Sequence, residues 1–201
     1  NSAGCVLGAF SAVFILIPGS GLIFTLRATG LLAAIFVLLF AVFGMNKGRL
    51  VMKGLIALGA LVLAQGVFLW PDPDPLTLTS GLYRPSLIRT LKKEQAAETP
   101  TLLSYADGPA ATVSVERRGN VTTLKINGKV EASDYFDMPT QVMVGALPLL
   151  LHPRNEGLNA ALIGYGSGVT AGTLLRGQAL KRLTVFEIEP RVVDAAEEPF
   201  R

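Results

Sequence analysis

The chain has 201 residues, of which 50% are hydrophobic and 16% charged, and its net charge at pH 7 is +3. Because the positive charge is small and spread out, without a basic stripe or interleaved aromatic residues, nucleic acid is excluded as a partner. The single cysteine, Cys5, cannot form an internal disulfide, and no metal site is expected.

Residues 1–70 hold three apolar runs, and each run predicts a membrane-spanning helix. The first ends at Ile17, before Pro18-Gly19-Ser20-Gly21, the second extends from Leu22 to Phe43, and the third from Leu50 to Trp70. The second and third have the roughly 20 residues that a helix needs to cross a bilayer. The first is expected to be the truncated end of a span. A lipid bilayer is therefore an expected partner.

Gly4 and Gly8 form a G-x-x-x-G pair in the first run, with Ser11 near the same helical face. In a membrane, such a pair lets the backbone of another helix approach closely. The small-residue composition of a membrane span explains the two glycines equally well, so both interpretations stay open.

Residues 71–100 are assigned to a linker and surface connection. Three prolines between Pro71 and Pro75 remove backbone donors and favour extended geometry, so this stretch is predicted not to be helical and to mark the domain boundary. A polar run containing Lys92, Lys93 and Glu94 follows, and it is expected to be a solvated face.

Residues 101–135 are assigned to a small antiparallel β unit. Ala111 to Glu116 and Val121 to Ile126 alternate between apolar and polar residues on either side of Arg118-Gly119-Asn120, which predicts a hairpin. After the turn Asn127-Gly128, the stretch from Lys129 to Ala132 predicts a third strand.

Residues 136–201 predict the start of a doubly wound α/β domain. Asp137 to Leu151 predicts a helix that closes at His152-Pro153, where the lone histidine is expected to be structural or exposed. The next predicted elements are a strand ending at Ala160 to Ile163, a helix from Val169 to Leu175, a strand from Leu183 to Ile188 and a helix opened by Pro190.

The turn between the first strand and its helix is Gly164-Tyr165-Gly166-Ser167-Gly168. Glycines suit this turn because they adopt positive φ and because a missing Cβ lets main-chain N–H groups approach a ligand. Glu187 follows about 20 residues later, where an acidic side chain accepts hydrogen bonds from both hydroxyls of a ribose. These six residues indicate an adenosine site. The alternative is a tight turn in an unrelated α/β domain, with Glu187 as a solvated strand end.

The chain from Leu124 to Ala196 resembles the spermidine synthase (polyamine aminopropyltransferase) family. The resemblance is carried by Leu124 to Lys129, Asp137, Leu147-Pro148-Leu149, His152-Pro153, the glycine turn and Phe186 to Glu189. The preceding spans, with Asn1, Gly4, Gly8, Pro18 and Gly21, are similar to the membrane half of bacterial proteins that fuse a multi-pass segment to such a domain.

The resemblance implies a Rossmann-like, methyltransferase-type fold and transfer of an aminopropyl or related group from decarboxylated S-adenosylmethionine to an amine. Gly164, Gly166 and Gly168 would line the adenosyl pocket, and Glu187 would bind the ribose. The same pocket would take S-adenosylmethionine or methylthioadenosine. The implied location is the bacterial inner membrane, and a homo-oligomer is left open.

The acceptor implied by the resemblance is a polyamine, with Glu131, Asp137 and Gln141 as its expected binding residues. Here the chain departs from the family pattern, because Gln141 lies in a stretch that replaces a tyrosine-centred motif, Glu131 replaces a glutamine, and Ser167 replaces an aspartate of the glycine loop. These changes affect the amine site more than the adenosyl site. The chain is expected to be an internal fragment, and the family's principal catalytic aspartate is expected beyond residue 201.

Two classes of function stay open. One is the transferase; the other is a membrane transporter or sensor that binds an adenosyl ligand without chemistry. An ordinary methyltransferase is disfavoured because Leu162 occupies a place where such loops often carry an acid. An aspartate at the end of a fourth strand would favour the transferase.

Two arguments about sidedness disagree. Lys47, Arg49 and Lys53 crowd the connection between the second and third runs, so the positive-inside rule places that connection in the cytoplasm and the soluble domain outside. An adenosyl sulfonium is made and kept in the cytoplasm. On that ground, the domain beginning near Leu76 is expected to face the cytoplasm.

Overall fold

The structure is a computed structural model that describes residues 2–44, 50–81, 99–154, 156–197 and 199–200. It is a mixed α/β protein, and it divides into two compact units, Asn1–Pro73 and Asp74–Arg201. Some charged residues on which the predictions above depend lie outside the described residues, namely Lys47, Arg49, Lys92, Lys93 and Glu94.

Within residues 2–44 and 50–73, which the structure describes, the first unit has three apolar helices: α1 (Ser2–Ser20), α2 (Leu22–Gly44) and α3 (Leu50–Leu69). By length and composition, all three are able to cross a membrane. Most of their large apolar side chains are exposed, including Phe36 and Phe43. Exposed apolar surface of this extent is unfavourable in water, so these helices are compatible with membrane insertion.

Helix α1 does not end where the sequence predicted. Its α-helical start, Ser2–Ser11, continues through a π-helical turn at Ala12–Leu16 and a last α-helical turn at Ile17–Ser20. The predicted end at Ile17 is wrong because a proline is tolerated in the first turn of a helical segment, which is where Pro18 lies. The break comes at Gly21, whose φ of 84° is readily adopted only by glycine.

Helices α2 and α3 form an antiparallel pair, and at each end of the pair a cationic side chain of one helix binds the end of the other. Arg27 Nη2 donates to Trp70 O at 2.8 Å and forms an ion pair with Asp72 Oδ1 at 2.7 Å. At the other end, Lys53 Nζ donates to Val42 O at 3.1 Å. Carbonyls in the last turn of a helix lack helical partners, so each cation stabilises the end of the neighbouring helix.

The second unit begins with a short helix, α4 (Pro75–Leu78), and a four-stranded antiparallel sheet. Asp74 precedes α4 and accepts a hydrogen bond from the amide of Thr77 at 3.2 Å. Pro75 therefore occupies the first helical turn, where a proline needs no amide partner. The prediction that Pro71 to Pro75 is non-helical is wrong for Pro75 alone.

The sheet has the strand order β1-β2-β3-β4. Its strands are β1 (Thr101–Asp107), β2 (Thr112–Arg118), β3 (Val121–Ile126) and β4 (Lys129–Ser133). The hairpin and the third strand are as predicted, while β1 was missed. Its pairing with β2 shifts between Leu102 and Ser104, so β1 does not show the simple alternation that identifies a strand.

The remaining elements follow the predicted order of helices and strands. They are α5 (Met138–Leu151), β5 (Leu158–Ile163), α6 (Val169–Leu175), β6 (Leu180–Phe186) and α7 (Pro190–Glu197). Strands β5 and β6 are parallel neighbours, joined through α6. His152 is exposed and accepts a hydrogen bond from the amide of Arg154 at 3.1 Å.

The core of the second unit joins the sheet to α7. It contains Val113, Val115, Leu124, Ala132, Val192, Ala195 and Ala196, with Ile126, Tyr165 and Phe200 packed against it. The buried carboxylate of Glu189 reinforces this contact, because it accepts hydrogen bonds from the amides of Ala110, Ala111 and Arg191 at 2.8, 3.1 and 3.0 Å. The residues just after β6 are thereby fixed against the β1–β2 turn.

Candidate functional site

The glycine loop, residues Gly164 to Gly168, leads from β5 into α6. Gly164, Gly166 and Gly168 have φ of 85°, 57° and 80°, a region that other residues rarely adopt. A Cβ at Gly168 would lie 2.8 Å from the hydroxyl oxygen of Tyr165, which is a second reason for glycine there. No heavy atom of the described chain lies within 4 Å of a Cβ built on Gly164 or Gly166. The loop backbone is therefore open to approach.

Glu187 is held against the glycine loop by its carboxylate. Oε2 accepts a hydrogen bond from the amide of Tyr165 at 2.7 Å, and Oε1 accepts from the amides of Ile188 and Glu189 at 2.8 and 3.0 Å. The predicted strand Leu183 to Ile188 instead ends at Phe186, because Glu187 turns back onto these main-chain amides. These hydrogen bonds bring together the glycine loop, which follows β5, and the end of β6.

The hydrogen bonds of Glu187 limit what it offers to a ligand. A carboxylate has about four acceptor positions, and three are used within the described chain. One position remains, and it is on Oε2. In this arrangement Glu187 has one acceptor position left, whereas the expected role in binding a ribose uses two.

Ser167, at the end of the loop, is hydrogen-bonded to helix α5. Its buried hydroxyl donates to Oε1 of Gln141, and Nε2 of Gln141 donates to the carbonyl of Ser133 at 2.9 Å. The hydroxyl of Thr170, in the first turn of α6, donates to the carbonyl of Gln141 at 3.0 Å. Gln141 thus connects the loop, α6 and the end of β4.

Asp137 belongs to the same set of hydrogen bonds. Its carboxylate accepts from the amide of Ser133 at 2.9 Å and from the hydroxyl of Ser133. The structure therefore brings Asp137 and Gln141 together on either side of Ser133. Glu131, the third residue expected to bind an amine, is on β4 and forms an ion pair with Lys129.

A cavity of about 390 Å³ adjoins the glycine loop between α5, α6 and the end of α7. This volume is in the range of small-molecule sites. Its walls are Met138, Val142, Tyr165, Ser167, Gly168, Val169, Gly172, Thr173, Arg176, Ala196, Glu197 and Phe200. Most of these residues were missed from the sequence. The sequence did contain a signal for four of them, because one face of a helix has the spacing of Val169, Gly172, Thr173 and Arg176.

Among the residues that the structure describes, no group of three or more His, Cys, Asp or Glu side chains is arranged to hold a metal ion. The carboxylates of Glu187 and Asp137 each accept hydrogen bonds from main-chain amides.

Solved structures that are similar to part of the chain include two spermidine synthases. A spermidine synthase in complex with the transition state analogue AdoDATO is 16% identical, with a TM-score of 0.45 over 49% of this chain and 34% of its own. The spermidine synthase from Thermotoga maritima is 17% identical, with a TM-score of 0.44 over 47% of this chain and 33% of its own. The chain thus spans about a third of the length of each. No family model and no curated protein matches it.

Proposed function

We propose that the protein is a membrane-anchored, spermidine synthase-like transferase that moves an aminopropyl or related group from decarboxylated S-adenosylmethionine to an amine. The observation that carries the proposal is the meeting of Glu187 with the glycine loop through the amide of Tyr165. An open glycine backbone, a carboxylate at the end of the next parallel strand and an adjoining cavity form a set suited to an adenosyl group.

In this proposal, the ribose of the adenosyl group lies beside Glu187. The remaining acceptor position on Oε2 takes one ribose hydroxyl. Ile188, the next residue, has an apolar side chain that is 85% exposed and provides a surface for the face of the purine. The main chain at Gly164 and Gly166 approaches the ligand, because no Cβ intervenes.

The transfer requires a neutral amine to attack the methylene carbon next to the sulfonium. A carbon–nitrogen bond forms, the carbon–sulfur bond breaks, methylthioadenosine leaves, and the amine loses a proton to a base. The protein accelerates such a step by orienting the two reactants and by accepting that proton. Asp137 and Gln141 lie near the loop, on the side of helix α5 and the end of β4.

The membrane assignment rests on α1, α2 and α3. A chain with three helices of this length and composition is a multi-pass membrane protein in our proposal, and the bacterial inner membrane is its location. The second unit faces the cytoplasm, where an adenosyl sulfonium is made.

The proposal is tested with the full-length protein, purified in detergent and supplied with decarboxylated S-adenosylmethionine and a diamine. Transfer predicts release of methylthioadenosine in equal amount to the aminopropylated amine. Release that depends on the diamine supports the transferase. Binding of methylthioadenosine without turnover of any amine refutes the transferase and leaves an adenosyl-binding protein.

A second candidate is a membrane transporter or sensor that binds an adenosyl ligand without chemistry. It is favoured by one observation, which is that the polar groups of Asp137 and Gln141 are hydrogen-bonded within the protein. Groups engaged in this way are less available to hold an amine. The diamine-dependence of methylthioadenosine release separates the two candidates.

A further inference from the structure

Gln141 makes three hydrogen bonds that join three elements. Its Oε1 accepts from the hydroxyl of Ser167, its Nε2 donates to the carbonyl of Ser133 at 2.9 Å, and its main-chain carbonyl accepts from Thr170 at 3.0 Å. These bonds connect the glycine loop and α6 to the end of β4. Ser167 and Ser133 are 5% and 1% exposed, so water does not readily replace their partners.

The amide group of Gln141 is suited to this role by its chemistry. A side-chain amide donates at one end and accepts at the other, which matches a carbonyl on one side and a hydroxyl on the other. A carboxylate of the same size accepts at both ends. Glutamate at this position would retain the bond to Ser167 and would set a negative oxygen against the carbonyl of Ser133.

We infer that Gln141 is a positioning residue, which holds Ser167 and thereby fixes the glycine loop relative to Glu187, and that it is not a ligand of the amine. Ser133 is its anchor on β4, and Asp137 holds Ser133 in turn through its amide and its hydroxyl. This inference deepens the proposed function. Of the two experiments that follow, the ligand-binding measurement rests on the proposed function. The hydrogen-exchange measurement does not, because it needs no ligand.

The loop measurement is amide hydrogen exchange, followed by mass spectrometry, in the chain with Gln141→Glu. The matched control is Gln178→Glu, the same change at an exposed glutamine. We expect exchange in residues 164–170 to become about tenfold faster with Gln141→Glu, and to be unchanged with Gln178→Glu, because one buried hydrogen bond is lost. Unchanged exchange with Gln141→Glu would overturn the inference.

The ligand measurement is the affinity for methylthioadenosine without any amine present. Gln141→Glu and Ser167→Ala should each weaken binding about tenfold, because the first breaks the bond from Gln141 to Ser133 and the second the bond from Ser167 to Gln141. The double variant should be no weaker than either, because both changes interrupt the same connection between β4 and the glycine loop. If Gln141→Glu leaves the affinity for methylthioadenosine unchanged and, in a separate turnover assay, raises only the KM for the amine, then Gln141 is an amine ligand and the inference is wrong. If the unchanged chain binds no methylthioadenosine, the proposed function fails, and the exchange measurement still decides the role of Gln141.

Discussion

The main-chain amide of Tyr165 donates to Oε2 of Glu187 at 2.7 Å, so a hydrogen bond joins the glycine loop to the end of β6. The ring of Tyr165 also packs against the core of the second unit. The loop is thus fixed both by its backbone and by a side chain. For the proposed adenosyl site, a backbone fixed in this way predicts a smaller entropy loss on binding.

Gly172 provides a test of the cavity that does not depend on the glycine loop. No heavy atom of the described residues lies within 4 Å of a Cβ built there, and Gly172 lines the cavity. Gly172→Ala should raise stability by up to about 1 kcal/mol, because alanine favours the helix. Gly172→Leu should weaken methylthioadenosine binding without lowering the melting temperature. Equal affinity in both variants would show that the cavity is not part of the ligand site.

Glu189 should be important for folding and unimportant for ligand contact. It is 2% exposed, and its carboxylate accepts from three main-chain amides. Glu189→Ala should cost about 1 to 3 kcal/mol, because three donors lose their acceptor. Glu131→Ala removes a more exposed ion pair and should cost about 1 kcal/mol or less. Thermal unfolding of the two variants checks the order, and equal losses would contradict it.

Tyr105 should titrate at a higher pH than an ordinary tyrosine. Burial and the carboxylate of Asp107, which accepts its hydrogen bond at 3.1 Å, raise the pKa of Tyr105 from 10.0 to about 12. The folded state holds this proton more tightly than the unfolded state does. Its contribution to stability is therefore complete below about pH 10 and is lost as the pH rises towards 12.

The measurement is the ultraviolet absorbance of tyrosinate, recorded for the unchanged chain and for Tyr105→Phe. The difference between the two titrations isolates Tyr105 from the other tyrosines. A midpoint well above pH 10 is expected. A midpoint at the ordinary value would contradict the position of Tyr105 beside Asp107.

The second unit should be inaccessible from outside the cell. Cysteine introduced at the exposed Gln178, with Cys5→Ser, should react with a membrane-impermeant reagent only after lysis. A cysteine in place of Asn46 should react in intact cells, because α3 lies between this position and the second unit in the sequence and crosses the membrane in our proposal. Labelling of the Gln178 site in intact cells would instead agree with the positive-inside rule and would contradict a cytoplasmic adenosyl site.

The sequence predicted those features that depend on local backbone chemistry. Glycine is needed at 164, 166 and 168 for positive φ, and Asn127-Gly128 forms a turn with φ of 49° and 75°, so both were recognised. Strand β1 was missed because its irregular pairing removes the alternating pattern. The hydrogen bond between Gln141 and Ser167 joins residues far apart in the chain. Only the fold shows that a predicted amine ligand is hydrogen-bonded to the loop.

The most direct test of the account is the affinity of the chain in detergent for methylthioadenosine, with and without Glu187→Gln. Glutamine has nearly the same shape, but it cannot accept at both ends, so it cannot keep all three amide bonds and also receive a ribose hydroxyl. Loss of charged hydrogen bonds of this kind costs about 1.5 to 3 kcal/mol, or roughly a 10- to 100-fold weaker affinity. Glu131→Gln is the matched control and should bind as the unchanged chain does. Equal affinity of the Glu187→Gln variant and the unchanged chain would contradict the adenosyl site.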